Sequence, residues 1–231
     1  MGGFANNAPI VTDGLVFYVD AGNGKSYPGS GGTWSDLAGG NDGTLTNGPT
    51  FDSGNGGSIV FDGVDDRCTV NGVPTLNNAT FFTFINPKAN PGGYEGFAGG
   101  GTTDYSNGFV IDMGASSTST FSKCHFEGGV LRINGGWNGM SSDNPFNNWY
   151  CICFTVSPTY IQFYLNGVAE NGTARLNNST STIDMTNFRL GARVLGDRGA
   201  QSDMALFALY NRALSTTEVL QNYNALKNRF V

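Results

Sequence analysis

The sequence predicts an all-β chain: a two-sheet antiparallel β-sandwich closed by one short C-terminal α-helix. Three observations carry this. Many short runs of Phe, Val, Ile, Tyr and Thr are separated by Gly- and Asn-rich turns, the pattern of short strands joined by tight connections. The run Met204 to Tyr210 is apolar at nearly every position, as a strand covered on both faces must be. After it come Ser215 and Glu218, an S-x-x-E capping box, and then Val219, Leu220, Tyr223 and Leu226 as one apolar stripe of an amphipathic helix.

In chain order, residues 1–12 form a polar N-terminal arm without periodicity, expected to be ordered only by a neighbouring subunit. The sandwich is expected over residues 13–231. Leu15 to Val19 reads as its first strand. Ala21 to Gly43 reads as a Gly- and Ser-rich loop anchored by Trp34. Thr44 to Asn47 is a short strand ended by Gly48-Pro49. Ser58 to Asp62 and Arg67 to Val70 flank an Asp-rich corner. Phe81 to Ile85 reads as a buried strand stopped by Pro87. Ala89 to Gly108 is a second Gly-rich stretch, carrying Tyr94, Phe97 and Tyr105. Phe109 to Met113, Phe121 to Phe126 and Val130 to Asn134 read as successive strands. Gly135 to Asn148 reads as a polar loop with Trp137, Met140 and Phe146. Trp149 to Val156 is a strong strand. Tyr160 to Leu165, Asn166-Gly167 and Val168 form the clearest hairpin, because Asn-Gly supplies the positive φ angles of a type I′ turn. Phe188 to Leu190 leads to the last strand and the helix. No internal repeat or linker divides the chain, and 231 residues suit one large β domain.

Composition narrows the function. Gly is abundant at 35 residues and charged residues are only 13%. A net charge of −6 excludes an electrostatic grip on nucleic acid or on an anionic membrane, both of which need clustered Lys and Arg. No run approaches the ~18 apolar residues of a spanning helix. The start MGGFANNAP has no basic or apolar region, so the expectation is synthesis in the cytoplasm without a signal peptide. Cys151 and Cys153 lie two apart in an apolar strand and read as buried free thiols. Whether Cys68 and Cys124 meet is left open by the sequence. Asn78, Asn171 and Asn178 begin N-x-T triplets that read as unmodified turns.

Asn211-Arg212-Ala213-Leu214-Ser215 with Glu218 resembles the closing segment of laminin-G-like, concanavalin A-like jelly-roll domains. Ile59 to Asp66, with its Phe-Asp-Gly-Val-Asp-Asp core, is similar to a second segment of that group, and Gly14 to Asp20 to a third. These bracket almost the whole chain. The wording of residues 14–62, with Ser26-Tyr27-Pro28-Gly29, Thr33-Trp34, Asp36-Leu37 and Gly43 to Pro49, resembles such domains in virion structural proteins of tailed phages, cyanobacterial ones especially. The resemblance implies a concanavalin A-like jelly roll and a place on a phage particle.

Glycosidases of this fold use E-x-D-x-x-E on one strand, which points carboxylates into one cleft. The glutamates here are Glu95, Glu127, Glu170 and Glu218, and none has an Asp two residues away. The one histidine, His125, has no second His for a metal pair. The chain therefore reads as no enzyme. Asp62, Asp65 and Asp66 surround a turn at Gly63. Two roles fit this spacing: oxygen ligands of a structural calcium, or caps that bond turn amides. The resemblance implies calcium near this corner, assisted by an acidic residue before the final strand, where Asp203 stands. Glycan binding needs exposed rings beside amides and carboxylates. Trp137, between Gly136 and Asn138, fits this best, followed by Tyr105 and Tyr94. The alternative is that these rings pack their own loops or a subunit contact. Trp149 matches the core strand tryptophan of the family.

Two functions follow. The first is a non-enzymatic virion structural protein, an exposed unit on a capsid or tail appendage. Its partners are other virion proteins, further copies of itself in a symmetric homo-oligomer, and host-surface glycans. The second is a free-standing, calcium-assisted carbohydrate-binding module.

Overall fold

A computed structural model describes residues 8–89, 93–102, 108–113, 120–128, 139–170, 174–175, 182–194 and 198–230, with backbone alone over 120–128, 139–144 and 174–175. The strands are β1 (Leu15–Asp20), β2 (Thr33–Trp34), β3 (Gly43–Thr46), β4 (Thr50–Asp52), β5 (Ser58–Phe61) and β6 (Arg67–Val70). There follow β7 (Ala79–Pro87), β8 (Glu95–Gly100), β9 (Phe109–Met113), β10 (Thr120–Gly128), β11 (Gly139–Pro145) and β12 (Tyr150–Val156). The last are β13 (Tyr160–Leu165), β14 (Val168–Ala169), β15 (Ala174–Arg175), β16 (Phe188–Leu190) and β17 (Ser202–Tyr210), before helix α1 (Thr216–Leu226).

The strands form two antiparallel sheets. The first runs β14-β13-β12-β7-β17-β5-β4, with β1 paired to β17 and β15 to β13; the second runs β11-β10-β9-β8-β16-β6-β3-β2. The all-β sandwich with one C-terminal helix is therefore the observed architecture. Aromatic rings fill the space between the sheets. Phe81 of the first meets Phe109 of the second at 4.6 Å, and Phe188 of the second contacts both Phe17 and Phe207 of the first.

Strand β17 is central. All nine of its residues are buried, and it pairs with β7, with β5 at its start and with β1 at its end. Met204, Phe207 and Leu209 face the inter-sheet core. Ala205, Leu206, Ala208 and Tyr210 face outward into a second apolar cluster under α1. Both faces are covered, which is why the run reads apolar throughout. Among the described residues no helix is long and apolar enough to cross a membrane.

The capping box forms as the sequence predicts: Ser215 Oγ accepts from Glu218 N–H, and the Glu218 carboxylate accepts from Ser215 N–H. The Asn166-Gly167 turn has both φ angles positive, 50° and 78°. Several expectations are corrected. Leu220 is 42% exposed, and the helix instead buries Asn222, whose amide bonds Tyr210 Oη and Val11 N–H. A polar residue in the stripe is tolerated because both ends of its amide are paired. The arm is not left to a neighbour over residues 9–11: Pro9 O accepts from Gln221, and Val11 binds Asn222 and Tyr210. The stretch read as loop from Gly135 contains β11, and the Gly-rich stretch from Ala89 contains β8, buried throughout. Strand β7 runs on through Pro87, whose carbonyl accepts from Asn147 N–H. Trp149 lies half-buried on the outer face of the first sheet, packed on Phe230, and not between the sheets. Residues 130–134 lie outside the described residues.

Candidate functional site: an acidic corner and a charged outer face

Two polar regions stand out from the packed interior. The first is the corner after β5. Gly63 takes φ +78°, and a Cβ there would meet Gln201 backbone N at 2.8 Å, so the corner packs directly on the lead into β17. That close approach gathers Asp62, Asp65 and Asp66, whose nearest carboxylate oxygens all lie within 4.8 Å of one another. One Asp62 oxygen accepts from Val64 N–H and one Asp66 oxygen from Asp62 N–H, at 2.8 and 3.0 Å. Two of the three thus cap the turn as well. Asp66 is buried, and its carboxyl is pushed up from its ordinary value, by burial first and then by the charges of Asp62 and Asp65.

Asp203 does not join them. It lies within β17 on the outer face, opposite Asn86 and Val60, and forms an ion pair with Lys88. Strand alternation puts it on the opposite face from core residue Met204. Burial raises its carboxyl while Lys88 lowers it, with the net shift upward.

The second region is the outer face of the second sheet. Register places Thr33, Thr44, Thr69, Arg189 and Gly99 in one row. A neighbouring row holds Gly96, Asp112 and His125. The chain after β16 folds back over the bare strand β8: Gly96 N–H donates to Arg198 O, and a Cβ on Gly96 would lie 2.5 Å from Arg193 Cγ. Arg193 is 3% exposed and Asp112 fully buried, with 3.8 Å between Nη1 and Oδ2. Arg193 Nη1 also donates to Tyr94 O at 3.1 Å, and Arg189 Nη1 to Val194 O at 3.0 Å. Glu95 sits close by, its carboxyl raised by burial against the opposing pull of Arg198 and Arg193.

A model described as the concanavalin A-like lectin/glucanases superfamily matches residues 61–220. The chain belongs to that superfamily. The match spans both the acidic corner and the capping box of this concanavalin A-like sandwich. The Trypanosoma rangeli sialidase in complex with sialic acid is similar in fold, with a TM-score of 0.65 and 16% identity over 96% of this chain. The chain spans only 34% of the sialidase chain's length. Domain 4 of AbnA, a GH43 extracellular arabinanase from Geobacillus stearothermophilus, solved with arabinotriose, gives 0.64 and 15% identity over 92% of this chain and 100% of its own. The binding domain of Paraclostridial Mosquitocidal Protein 1 gives 0.64 and 17% identity, over 93% of this chain and 53% of that one. No curated protein sequence gives a significant match.

Of the ring residues singled out for glycans, Trp137 and Tyr105 lie outside the described residues. Tyr94 is half-buried and held through its carbonyl by Arg193. The Glu95–Asp112–Arg193 grouping escaped the sequence reading, since its members are far apart in the chain. One signal was present: Asp112 is the one charge in the apolar run Phe109 to Met113, and such a charge demands a partner. Cys68, Cys151 and Cys153 are free and buried, and burial raises all three thiols, so they are inert. The Cys124 side chain lies outside the described residues.

Proposed function

We propose that this chain is a non-enzymatic carbohydrate-binding sandwich that acts by contact. It is carried as an exposed unit on a tailed-phage particle, on the capsid or a tail appendage, and adheres to host-surface glycans. The observation that carries the glycan reading is the likeness, over the full length of that domain, to AbnA Domain 4, which was solved with arabinotriose. Two features favour binding over catalysis. No strand bears the E-x-D-x-x-E carboxylates. Asp112 is sealed against Arg193, whereas a catalytic carboxyl must reach substrate. The phage setting rests on the wording of residues 14–62, and there the partners are other virion proteins and further copies of this chain.

Titration calorimetry against neutral oligosaccharides including arabinotriose tests the binding. Heats indistinguishable from dilution across the panel would remove the glycan reading. Counting copies of the chain per major capsid protein in purified particles tests the setting; hundreds of copies fit a decoration protein, a few fit a tail appendage, and none would end the virion reading.

The acidic corner favours the second reading, a calcium-assisted lectin, and the two are compatible. The donor set fits a hard cation: the three carboxylates keep oxygens not engaged by turn amides, and their mutual repulsion is what a divalent ion relieves. Asp62, Asp65 and Asp66 would hold calcium, which would fix the corner without entering any reaction. Calcium at about 100 times its Kd would stabilise the fold by about 2.7 kcal/mol. A melting midpoint unmoved by saturating chelator would refute calcium binding here.

A further inference from the structure

On the outer face of the first sheet, polar groups gather beyond the end of α1. Register sets Val60, Asp203 and Asn86 in one transverse row. Trp149 continues that row, because Tyr150 next to it lies opposite Ile85. Ser58 stands on the same face two residues before Val60, and Lys88 reaches Asp203 as its ion pair. Two of these side chains are more than nine-tenths buried and carry an atom without a hydrogen-bond partner: Asn86 Oδ1 and Ser58 Oγ. Such atoms are costly in a folded interior, and each marks a place where a partner would return free energy.

What lies next to them is the C-terminal turn. Phe230 stacks on Phe84 at 4.4 Å and tilts against Trp149 at 4.8 Å, the two face neighbours of Asn86. An aromatic ring cannot satisfy the amide oxygen beside it. The turn is fastened at its solvent edge. Arg229 Nη1 donates to both Asp20 oxygens at 2.9 Å, Asn55 Nδ2 donates to Arg229 O, and Arg229 Nη2 reaches Gly57 O beside Ser58. Asp20 is buried and Arg229 mostly so, which makes this charge-assisted pairing the principal tie of the turn. An aromatic plug thus sits over a polar floor that it does not satisfy, and Arg229 is the main side chain that ties it down.

We propose that Lys227–Phe230 is a strap over a saccharide subsite. When it lifts, Phe230 vacates the face of Trp149 for a sugar ring, and Asn86, Ser58, Asp203 and Lys88 take the hydroxyls. An amide, a hydroxyl, a carboxylate and an ammonium beside an indole form the donor–acceptor set of a polyhydroxylated ring. This rests on the carbohydrate-binding reading and gives it a location.

The test titrates the full chain and its Arg229→Ala and Asn86→Ala variants with the same neutral oligosaccharides, arabinotriose included. Arg229→Ala, freed of the closed strap, should bind up to about tenfold more tightly, because the competent fraction rises. Asn86→Ala should bind at least about tenfold more weakly, as for a lost buried hydrogen bond. In the unaltered protein, saccharide should speed hydrogen exchange at the Phe230 amide, which bonds Lys227 O when the turn is closed. This readout does not depend on any variant folding. Saccharide bound with Phe230 exchange and the Arg229→Ala affinity both unchanged would overturn the subsite and leave the function standing. No saccharide bound by either Arg229→Ala or the parent would overturn both.

Discussion

The two sheets present similar aromatic faces to each other and opposite characters to the outside. The outer face of the first sheet carries Phe82, Phe84, Cys151, Cys153, Leu206 and Tyr210 and is roofed by α1. The outer face of the second carries Thr33, Thr44, Thr69 and Arg189 in one row, and it buries a charge, Asp112 beneath Arg193. The first face is held by area removed from water, which is non-directional and tolerant of substitution among apolar groups. The second is held by a few directional contacts among groups that are expensive to leave alone. A sandwich can therefore roof most of one outer face for stability and leave the other largely polar.

The largest effect separating the faces is expected at Phe82. Phe82→Ala empties a ring from the roofed cluster and should cost about 3–5 kcal/mol, read from urea unfolding. Thr44→Arg on the exposed face of the second sheet should shift stability by no more than about 0.5 kcal/mol. A large loss at Thr44 would show that face to be packed against something. Next comes the buried ion pair. Asp112→Ala removes the carboxylate from beside the buried Arg193 charge and should cost about 3 kcal/mol, while Asp112→Leu with Arg193→Met should recover most of it, since an apolar pair of similar volume avoids desolvating two charges. If the double variant is as unstable as the single, the directional contacts to Tyr94 O, and not the charge pairing, hold the second face.

The difference between the faces also explains what could be read in advance. The first face was legible because apolar periodicity is a local signal: Met204 to Tyr210, the capping box and the Asn166-Gly167 hairpin each announce themselves within a few residues. Strand β8 was not, because its glycines make room for a contact from far along the chain, where Arg193 crosses Gly96. Asn222 replaced Leu220 in the buried stripe for a similar reason, since its partners Val11 and Tyr210 lie on other elements. The acidic corner was visible as three aspartates around a glycine. Asp203 was not separable from them in sequence, because only register shows which face of β17 it occupies. Spacing finds groups on one element, while groups assembled across strands need the pairing.

The smallest effect concerns the roof itself. Glu218 accepts from Arg212 Nη2 and Nη1, at 2.6 and 3.0 Å, and from Ser215 N–H at 2.8 Å. The Arg212 hydrogen bonds, then the Ser215 amide, bring its carboxyl down to about 2. A folded value below the unfolded one means the contribution is complete above about 4.5 and is lost as pH falls from there towards 2. Glu218→Gln should therefore flatten that part of the stability–pH curve relative to the parent, with the other carboxyls common to both. Ser215→Ala removes the reciprocal cap and should cost about 1 kcal/mol at neutral pH. If α1 is a roof that holds the first outer face closed, both variants should also expose Cys151 and Cys153 to a thiol reagent at a rate that rises with the loss of stability. A loss of stability with no change in thiol reactivity would mean that the cap steadies the chain end without governing whether the roof opens.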